Sequence, residues 1–470
     1  MTRFHLKQIL EGTGGTLVSN AEGGQFFNGV SIDSRTLAPG EIFFAIRGED
    51  HDGHDYLREA WKAGCALAVV DKDMPAAADK LPPLPLVVVE DTTGSLQSLA
   101  SYWRDRHPVP LLAVVGSVGK TTTKEMIGEI LSIDGPCLKN PGNLNNHIGL
   151  PLSLLELSDF HKYAVLELGA NTPGEIDMLT AICRPQAAAI TRLGWAHLEG
   201  FGDPESLVKE KGAVLDHIPS SGWCALNTDD GKFGTLKKRA ACQVVEYGLA
   251  GGDVSASEIS LGSETTFVIE TPSGRERVHL RAFGRHFVEN ALAAVAVTLP
   301  LGLALEQIIG GLDMWRPQEG RGGILDPRPG VHFIDDTYNA NPLSVETALE
   351  NLASLKPKGV TVAVLGEMKE LGDYHSEGHV LVGRRTAELG IDYLLAVGPE
   401  AELMCKGALE AGMKPERIVH CSDDESAAEA LDDLLAPAVW VLFKGSRAAR
   451  IEEVLERFFD EGALTRAGGH

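Results

Sequence analysis

The sequence predicts an α/β protein built around a central, mostly parallel β-sheet. The apolar run Leu111 to Val115 leads through a glycine-containing turn into a helical stretch. Residues 108–316 then alternate short apolar runs with helical stretches, which is typical of a parallel sheet covered by helices. The alternation restarts near Gly320, and a chain of 470 residues has room for about three domains.

Composition and charge exclude several function classes. A formal net charge of −24 argues against nucleic acid as a partner, because such binding requires clustered lysine and arginine side chains. The seven cysteines are scattered and form no C-x-x-C pair, which favours reduced thiols in the cytoplasm over disulfides or a zinc site. The start lacks the apolar core of a signal peptide, and the longest apolar stretch, Ala291 to Leu305, is too short to cross a membrane. We therefore expect a cytoplasmic protein without a membrane segment.

Residues 1–107 predict a small α/β domain of their own. Residues 29–48 hold two short apolar runs around a Pro39-Gly40 turn, and a helical stretch and a strand-like run follow them. Ser34 and Arg35 lie at a predicted strand end, where they could hold a phosphate, although an exposed pair without a ligand explains them equally well. Two prolines between residues 104 and 110 predict a linker to the next domain.

The segment Leu111 to Met126 predicts a strand, a phosphate-binding loop and a helix. Gly116 and Gly119 allow backbone N–H groups to face an anion, and Lys120 can reach the terminal phosphates of a nucleotide. Thr121 offers a hydroxyl group to a phosphate-bound Mg²⁺. The general pattern G-x-x-x-x-G-K-[ST] is incomplete, because Val114 occupies the position of its first glycine. An ordinary turn is the alternative, but the strand-to-helix context favours a nucleoside triphosphate.

Three polar segments follow predicted strands of residues 108–316, at the edge where such sheets bind ligands. Residues 140–151, NPGNLNNHIGLP, predict a binding loop, with a plain connector as the alternative. Glu167 ends an apolar run, where a phosphate-loop enzyme needs an oxygen ligand for Mg²⁺. His197 follows the run that ends at Thr191, and by itself it could be a structural hydrogen-bonding residue or a metal or phosphate ligand.

The later part of this segment is less specific. Lys209 and Lys211 follow Pro204 in a helical stretch, and their spacing predicts a solvated basic face. Residues 243–283 are rich in strand-forming residues and predict an antiparallel flap or insertion. Asn290, beyond it, is either a helix-start cap or an adenine contact.

Residues 317–470 predict two further polar clusters. Asp335 and Asp336 follow an apolar run and precede a loop that ends at a proline. Lys444 and Arg447 lie beside a Gly-Ser turn ahead of a helix start, a suitable place for an anionic group, with a simple turn as the alternative.

Taken in order, these motifs closely resemble those of the Mur ligases of peptidoglycan synthesis. They are GSVGKTTTKE, GNLNNHIGLPLSLL, LELGANTPGEI, AHLEGFG, DDTYNANP, LGEMKELG and KGSRAARIEE, and the resemblance covers nearly the whole chain. It implies three domains: residues 1–107 for a UDP-sugar substrate, residues 108–316 for ATP, and residues 317–470 as a Rossmann-like ligase domain. Closure of the third domain over the site would exclude water.

The resemblance also implies a reaction. DDTYNANP points to the branch of the family that joins D-alanyl-D-alanine to UDP-N-acetylmuramoyl-tripeptide through an acyl phosphate. ATP would be converted to ADP, and the pentapeptide product would serve cell-wall synthesis, cell shape and division. Sister ligases that add one amino acid are the alternative, although the D-N-P-R signature of the one that installs the third residue is missing. A phosphate-loop switch or motor would not need the two flanking domains. The family is usually monomeric, so a monomer is expected.

Individual residues acquire roles from the same resemblance. Nucleotide binding is implied for Gly116, Ser117, Val118, Gly119, Lys120, Thr121, Thr122, Asn290, Arg321, Asp336 and Tyr338. Catalysis is implied for Lys120, Glu167, His197 and Lys211, and one or two Mg²⁺ ions would be held by Thr121, Glu167, His197 and Lys211. Lys211 matches a lysine that the family carbamylates, which turns a cation into an anionic ligand. Substrate binding is implied for Ser34, Arg35, Asn145, Asn146, Asn339, Asn341, Lys444, Ser446 and Arg447.

Two positions depart from the family pattern. Phe287 occupies the place of an asparagine that usually follows the histidine of the loop GRHFVEN. Arg192 replaces an asparagine often found after Thr191. Neither change removes a residue that phosphoryl transfer requires.

Overall fold

The computed structural model describes residues 3–18, 26–74, 83–195, 198–262 and 264–459. Its larger sheets follow one another along the chain, over residues 16–89, 111–280 and 323–444. The domain boundaries predicted after residues 107 and 316 lie in the two intervals between sheets and stay a prediction. Over the described ranges, no helix is both long enough and apolar enough to cross a membrane.

The N-terminal unit is a small α/β layer. Its strands are β1 (Phe4–His5), β2 (Thr16–Leu17), β3 (Phe26–Phe27), β4 (Val30–Ser31), β5 (Ile42–Phe44), β6 (Leu67–Asp71) and β7 (Leu86–Val89), and its helices are α1 (Leu6–Thr13), α2 (Leu57–Lys62) and α3 (Thr92–Arg106). The main sheet has the order β2-β7-β6-β5-β4, parallel except for β2, and β1 pairs with β3. Asp91 starts α3 by accepting the N–H groups of Thr93 and Gly94.

The central unit contains the largest sheet. Its strands are β8 (Leu111–Val115), β9 (Cys137–Lys139), β10 (Tyr163–Glu167), β11 (Ala187–Ile190), β12 (Trp223–Asn227), β13 (Gln243–Gly248), β14 (Val254–Leu261), β15 (Thr265–Thr271) and β16 (Gly274–Leu280). Its helices are α4 (Lys120–Ser132), α5 (Gly149–Leu155), α6 (Glu175–Cys183), α7 (Leu198–Phe201), α8 (Pro204–Lys211), α9 (Phe233–Arg239), α10 (Arg285–Thr298) and α11 (Leu305–Met314). The strand order is β16-β15-β14-β13-β12-β11-β8-β10-β9, and the seven strands from β14 to β9 in this order pair parallel with one another.

The prediction of an antiparallel flap or insertion over residues 243–283 is right for β14 to β16 and wrong for β13. β13 lies parallel to β12, and the antiparallel strands β14 to β16 extend the edge of the main sheet. They do so because Phe267, Ile269 and Val278 are buried in the same apolar cluster as α10 and α11. Pairing with β13 also satisfies backbone groups that an exposed edge would leave open.

Alternation along β8 divides the core between the two faces of the central sheet. Leu111, Ala113 and Val115 join a cluster that also contains residues of the N-terminal unit, whereas Leu112 and Val114 face the cluster with α4, α10 and α11. Helix α3 packs against α5 and α6. The N-terminal and central units therefore share one continuous apolar core.

The C-terminal unit is a second, mostly parallel sheet. Its strands are β17 (Gly323–Arg328), β18 (Val331–Asp335), β19 (Val360–Gly366), β20 (Tyr393–Val397), β21 (Ile418–Cys421) and β22 (Val439–Lys444), and its helices are α12 (Pro342–Ala353), α13 (His375–Glu388), α14 (Glu402–Glu410), α15 (Asp424–Asp432) and α16 (Glu452–Glu456). The order is β17-β18-β22-β19-β20-β21, and only β17 pairs antiparallel among these strands. Phe283, just before α10, is buried in the core of this unit.

Candidate active site

A cavity of about 470 Å³ is lined by both the central and the C-terminal unit. It collects residues from the carboxyl ends of β8, β10, β18 and β22, as expected for parallel sheets. Predicted site residues that line it are Ser117, Val118, Gly119, Lys120, Thr121, Thr122, Asn145, Asn146, Glu167, Lys211, Asn290, Arg321, Asp336, Tyr338, Asn339, Asn341, Lys444 and Arg447. The structure therefore brings most of the predicted site together.

Five predicted residues are not placed in this cavity. Ser34 and Arg35 lie on the N-terminal unit after β4, and the exposed Arg35 guanidinium pairs with Asp33 at 2.7 Å. Gly116 is buried against Thr191, and Ser446 is buried with its N–H group 3.0 Å from the Glu367 carbonyl. His197 lies outside the described residues. The roles of these five residues stay predictions.

Backbone hydrogen bonds join the phosphate loop to the segment just after β11. The N–H groups of Ser117 and Val118 both donate to the carbonyl of Arg192, at 3.0 and 3.3 Å. The backbone N–H group of Thr123 donates to the carbonyl of Gly119 at 2.9 Å. The N–H groups of residues 120–122, in the first turn of α4, therefore have no acceptor within the helix. These first-turn groups, rather than those of Ser117 and Val118, are the anion donors that the structure offers.

Gly119 is required at its position by conformation and by space. Its φ of +86° lies in the left-handed region, and a Cβ atom there would stand 2.3 Å from Oδ1 of Asn290. Asn290 is inside α10, which begins at Arg285, so the interpretation as a helix-start cap is wrong. Its side chain instead packs over the phosphate loop.

Glu167 is buried and hydrogen-bonded to both sides of the cavity. One carboxylate oxygen accepts the hydroxyl of Thr121 at 2.7 Å, and the other accepts the amide of Asn145 at 2.8 Å. Asn140 joins its own side chain to the backbone N–H and carbonyl of Glu167 at 2.9 and 3.1 Å. The asparagine-rich loop is therefore fastened to the end of β10.

Lys211 contradicts the prediction of a solvated basic face, which holds only for the exposed Lys209. The Lys211 side chain is 1% exposed, and its Nζ donates to the carbonyl of Ala170 at 3.0 Å. Burial lowers the pKa of Lys211 to about 7, and the charge of Lys120 acts in the same direction. Lys211 ends α8, whose inner face packs on α6 and α7.

Lys120 faces the cavity from the first position of α4. Burial lowers its pKa; the carboxylate of Glu167 opposes this shift, and the charge of Arg321 adds to it. Two lysines, an arginine and a carboxylate thus share one cavity, which suits a ligand with several negative charges.

The C-terminal unit contributes an ion pair and a stacked arginine. Nζ of Lys444 lies 2.6 Å from the Asp336 carboxylate and 2.9 Å from the carbonyl of Asn339. Burial raises the pKa of Asp336, and Lys444 opposes this shift. The guanidinium of Arg321 lies 3.9 Å from the ring centre of Tyr338. Of the two predicted acids, Asp335 serves the fold, because it accepts the Thr337 hydroxyl at 2.7 Å.

Two predicted substrate-binding asparagines also start helices. Oδ1 of Asn146 accepts the N–H group of Gly149 at 2.8 Å, at the start of α5. Oδ1 of Asn341 accepts the N–H group of Ser344 at 2.9 Å and caps α12. The side-chain NH₂ group of each asparagine stays available to a ligand in the cavity.

The two departures from the family pattern have structural roles. Phe287 is buried, with ring centres of His286 and Trp315 at 4.0 and 5.3 Å, and it lines the cavity. Arg192 uses its carbonyl to hold the phosphate loop, while its side chain lies 3.7 Å from Glu289. The asparagine missing at each position is thus replaced by packing or by a backbone contact.

The oxygen atoms near the phosphate loop fit Mg²⁺. In the part of the chain that the structure describes, no group of three or more His, Cys, Asp or Glu side chains is arranged to hold a metal ion. Magnesium, however, commonly takes one or two protein oxygens and completes its shell with water and substrate phosphates. Glu167 and the Thr121 hydroxyl supply such oxygens, whereas Lys211 as an ammonium group does not.

Three family models match successive parts of the chain. They describe the Mur ligase family catalytic domain (residues 27–101), the Mur ligase middle domain (residues 114–298) and the Mur ligase glutamate ligase domain (residues 320–447). The UDP-N-acetylmuramoyl-tripeptide–D-alanyl-D-alanine ligase of Escherichia coli K12 is 35% identical over 439 residues, which covers 92% of this chain and 94% of that protein. The chain belongs to the Mur ligase family.

Further relatives of this Mur ligase agree with that assignment. The enzyme of the same name from Bacillus subtilis is 31% identical and covers 97% of this chain and 98% of its own. A crystal structure of MurF from Acinetobacter baumannii superposes with a TM-score of 0.90 at 35% identity, covering 97% of this chain and 98% of that chain. MurF from Thermotoga maritima in complex with ADP gives 0.81 at 30% identity, covering 92% and 96%. The family and the three-unit α/β fold predicted from the motifs are confirmed.

Several residues of this Mur ligase site were not singled out from the sequence. His286, Asn171 and Glu175 line the cavity. All three lie inside quoted segments, His286 in GRHFVEN and the other two in LELGANTPGEI, so these segments could have indicated them. Glu210 lies outside the cavity wall and supports it, and nothing in its local sequence indicates that role.

Proposed function

We propose that the protein joins D-alanyl-D-alanine to UDP-N-acetylmuramoyl-tripeptide, converting ATP to ADP and phosphate. The proposal rests on one cavity that unites the phosphate loop, Glu167 and Lys211 with the DDTYNANP and KGSR segments of the C-terminal unit. Relatives that carry this activity in their names are 30–35% identical to the chain over most of its length. ATP and a UDP-linked substrate belong to the cytoplasm, so we propose that the enzyme acts there.

The first step activates the terminal carboxylate of the tripeptide. A carboxylate oxygen attacks the γ-phosphorus of ATP, the bond from that phosphorus to the bridging oxygen breaks, and ADP leaves with an acyl phosphate remaining. Negative charge spreads over the phosphoryl oxygens during this transfer. We propose that Lys120 and Arg321, which line the cavity, offset this charge together with the first-turn N–H groups of α4.

Glu167 and Thr121 would hold Mg²⁺, together with His197 and a carbamylated Lys211. When bound, the ion offsets phosphate charge and orients the phosphates. A lysine with a pKa of about 7 is about half uncharged at neutral pH, and an uncharged Nζ can attack CO₂ and lose a proton to give a carbamate. We propose this modification because an anionic side chain suits the position better than a second buried cation beside Lys120.

The second step forms the amide bond. The free amine of D-alanyl-D-alanine attacks the acyl carbon, a tetrahedral oxyanion forms, and phosphate leaves. Asn339, Lys444 and Arg447 line the cavity on the C-terminal side, where we place the dipeptide. Ser446 remains a proposed contact next to them, since no hydrogen-bond partner of its buried hydroxyl is found among the described residues.

Phosphate release with ATP, Mg²⁺, UDP-N-acetylmuramoyl-tripeptide and D-alanyl-D-alanine tests the function, with each component omitted in turn. We expect release only with both peptide substrates, and a product with the mass of the pentapeptide. Turnover with a single amino acid in place of the dipeptide would establish a sister ligase instead. Release from ATP alone, unchanged by either peptide, would leave the nucleotide site and overturn the ligase.

A further inference from the structure

Asn351 connects the C-terminal unit to the start of α10 in the central unit. It lies on α12 and is buried at 6% exposure. Its Oδ1 accepts the N–H group of Arg285, the first residue of α10, at 2.9 Å. Its Nδ2 lies 2.8 Å from Nδ1 of His286. One amide side chain therefore contacts two consecutive residues of the neighbouring unit.

These two contacts fix the orientation of the amide and the tautomer of the imidazole. The backbone N–H group of Arg285 can only donate, so the atom facing it must be the amide oxygen. The amide nitrogen then faces His286 and can only donate, so Nδ1 of His286 must be the acceptor. In a neutral imidazole with an accepting Nδ1, the proton is on Nε2.

The surroundings of His286 keep the ring neutral. Burial lowers the pKa of His286 to about 3, and the charge of Lys444 adds to the effect. The ring lines the same cavity as the phosphate loop, and Nε2 has no hydrogen-bond partner within the described ranges. The close approach of the two side chains requires glycine at position 284, because a Cβ atom there would stand 2.7 Å from Nδ1 of His286 and 3.0 Å from the Asn351 amide nitrogen.

We propose that Asn351 is a positioning residue for nucleotide binding: it holds His286 as the tautomer with the proton on Nε2 and so presents one neutral hydrogen-bond donor to the bound nucleotide. The inference rests on the proposed function only in taking a nucleotide as the ligand of this cavity. Because Asn351 and His286 belong to different units, the donor is set only while the C-terminal unit is docked on the start of α10.

A neutral donor has a chemical advantage at this place. Lys444 and Arg321 already bring positive charge to this side of the cavity, and a protonated His286 would be repelled by Lys444. An Nε2–H group recognises an acceptor atom of a base or ribose without adding charge. It also rejects a ligand that presents a donor at the same point, since two donors cannot pair.

The Asn351→Asp variant separates the two contacts. An aspartate oxygen can still accept the Arg285 N–H group, but the second oxygen faces Nδ1 of His286 and cannot donate to it. His286 must then carry a proton on Nδ1, as the other tautomer or as imidazolium. We expect the side-chain ¹⁵N spectrum of histidine-labelled protein to show this change, with the His286 signals assigned by their loss in His286→Gln.

ADP affinity, measured by titration calorimetry, gives the functional readout. We expect the Kd for ADP to rise about 3- to 10-fold in Asn351→Asp and in Asn351→Leu, the range for loss of one hydrogen bond. In a His286→Ala background, Asn351→Leu should change the Kd by less than about twofold, because the partner is gone. Glu350→Gln is the matched control on the same helix, since Glu350 pairs at the surface with Arg385 at 3.0 Å.

The wild-type protein alone can overturn the inference, even where a variant fails to fold. A His286 ring with its proton on Nδ1, or a charged ring at pH 7, contradicts the proposed tautomer. Unchanged ADP affinity and an unchanged His286 spectrum in a folded Asn351→Asp variant contradict the role of Asn351. Absence of ADP binding to the wild type would instead contradict the nucleotide site and hence the proposed function.

Discussion

Lys211 carries its amine into a part of the site that is almost closed to water. One carbonyl, that of Ala170, accepts a hydrogen bond from it, and the ring centre of Phe201 lies 5.4 Å away. Lys120 brings a second positive charge near it in the same cavity. The protonated form of Lys211 is therefore costly in the folded protein, and the uncharged amine is the form that reacts with CO₂.

This cost predicts how stability depends on pH. The pKa of Lys211 falls from 10.5 to about 7 on folding, so the penalty is fully present below pH 7 and is relieved as the pH rises from 7 towards 10.5. In CO₂-free buffer, the free energy of unfolding of the wild type relative to Lys211→Met should rise by about 2–3 kcal/mol between pH 6 and pH 9. Urea denaturation of both proteins measures this difference, and parallel pH profiles would contradict a depressed pKa.

The proposed carbamylation predicts chemical rescue of a truncated Lys211. Lys211→Ala should lose most of its turnover, because neither an amine nor a carbamate remains. A short-chain carboxylate can enter the space left by the side chain and supply the anionic oxygens. Part of the turnover should return with formate or acetate, measured as phosphate release, and equal concentrations of chloride serve as the control. If no carboxylate restores activity, the proposed carbamate is wrong.

We expect replacement of Lys120 to lower the rate of the chemical step and to leave ADP binding intact. Lys120→Ala should lower kcat by about 100- to 1,000-fold, because the N–H groups of the helix start remain while the mobile positive charge is removed. Lys209→Ala is the matched control, since Lys209 is exposed on α8. ADP binding to both variants shows whether the site is intact. Near-normal kcat in Lys120→Ala would sink the assigned role.

At the scale of elements, the loop between β10 and α6 is held by side chains. The Glu210 carboxylate accepts the N–H groups of Gly174 and Ile176, each at 2.7 Å. Glu175 accepts the N–H groups of Asn171 and Thr172 at 2.6 and 3.0 Å. Together with the contact from Lys211 to Ala170, these bonds fix the cavity wall between residues 170 and 174.

Glu210→Gln predicts a measurable loss of stability. Glutamine keeps the size of the side chain but has one oxygen, so one N–H group at the start of α6 loses its acceptor. The free energy of unfolding should fall by about 1–3 kcal/mol, and KM for ATP should rise as the wall loosens. Glu205→Gln, at an exposed position of the same helix, is the control. Unchanged stability would mean that water replaces the missing acceptor.

Local patterns predict elements well and pairings between distant residues poorly. The strand–loop–helix at Leu111 and the acid at the end of β10 follow from apolar runs and turn residues, and the structure has both. Glu210 is different, because its partners lie 36 and 34 residues away. The pattern of apolar residues along the sequence does not indicate which distant backbone N–H group a buried carboxylate will accept. The same reason explains why Lys209 and Lys211 could not be distinguished by spacing alone.

At the scale of the whole molecule, the three units are joined by shared apolar packing. Phe4 and Trp103 of the N-terminal unit belong to the same buried cluster as Leu111 of the central sheet. Phe283 leaves the central unit and is buried at 2% exposure in the C-terminal core, with its ring centre 6.4 Å from that of Trp440. The order of the units follows from the motifs, but this junction is visible only in three dimensions.

We expect Phe283→Ala to weaken the packing between the central and C-terminal units. Removing a buried aromatic ring should lower the free energy of unfolding by about 3–5 kcal/mol. We expect calorimetry to show the C-terminal unit melting in a separate transition at lower temperature, and ADP to bring the transitions together again. Phe160→Ala is the matched control, because Phe160 is 75% exposed. A single wild-type transition in Phe283→Ala would show that other contacts hold the units together.

The hydrogen bonds from the Ser117 and Val118 N–H groups to the Arg192 carbonyl reduce the entropy that the protein loses when it binds a nucleotide. The loop is already hydrogen-bonded to the segment after β11 in the folded protein. It therefore loses little conformational entropy when it binds a phosphate. Amide protons of these two residues should exchange slowly with solvent even without nucleotide. The loop then keeps its conformation when ADP leaves, so the enzyme can bind the next nucleotide without first refolding the phosphate site.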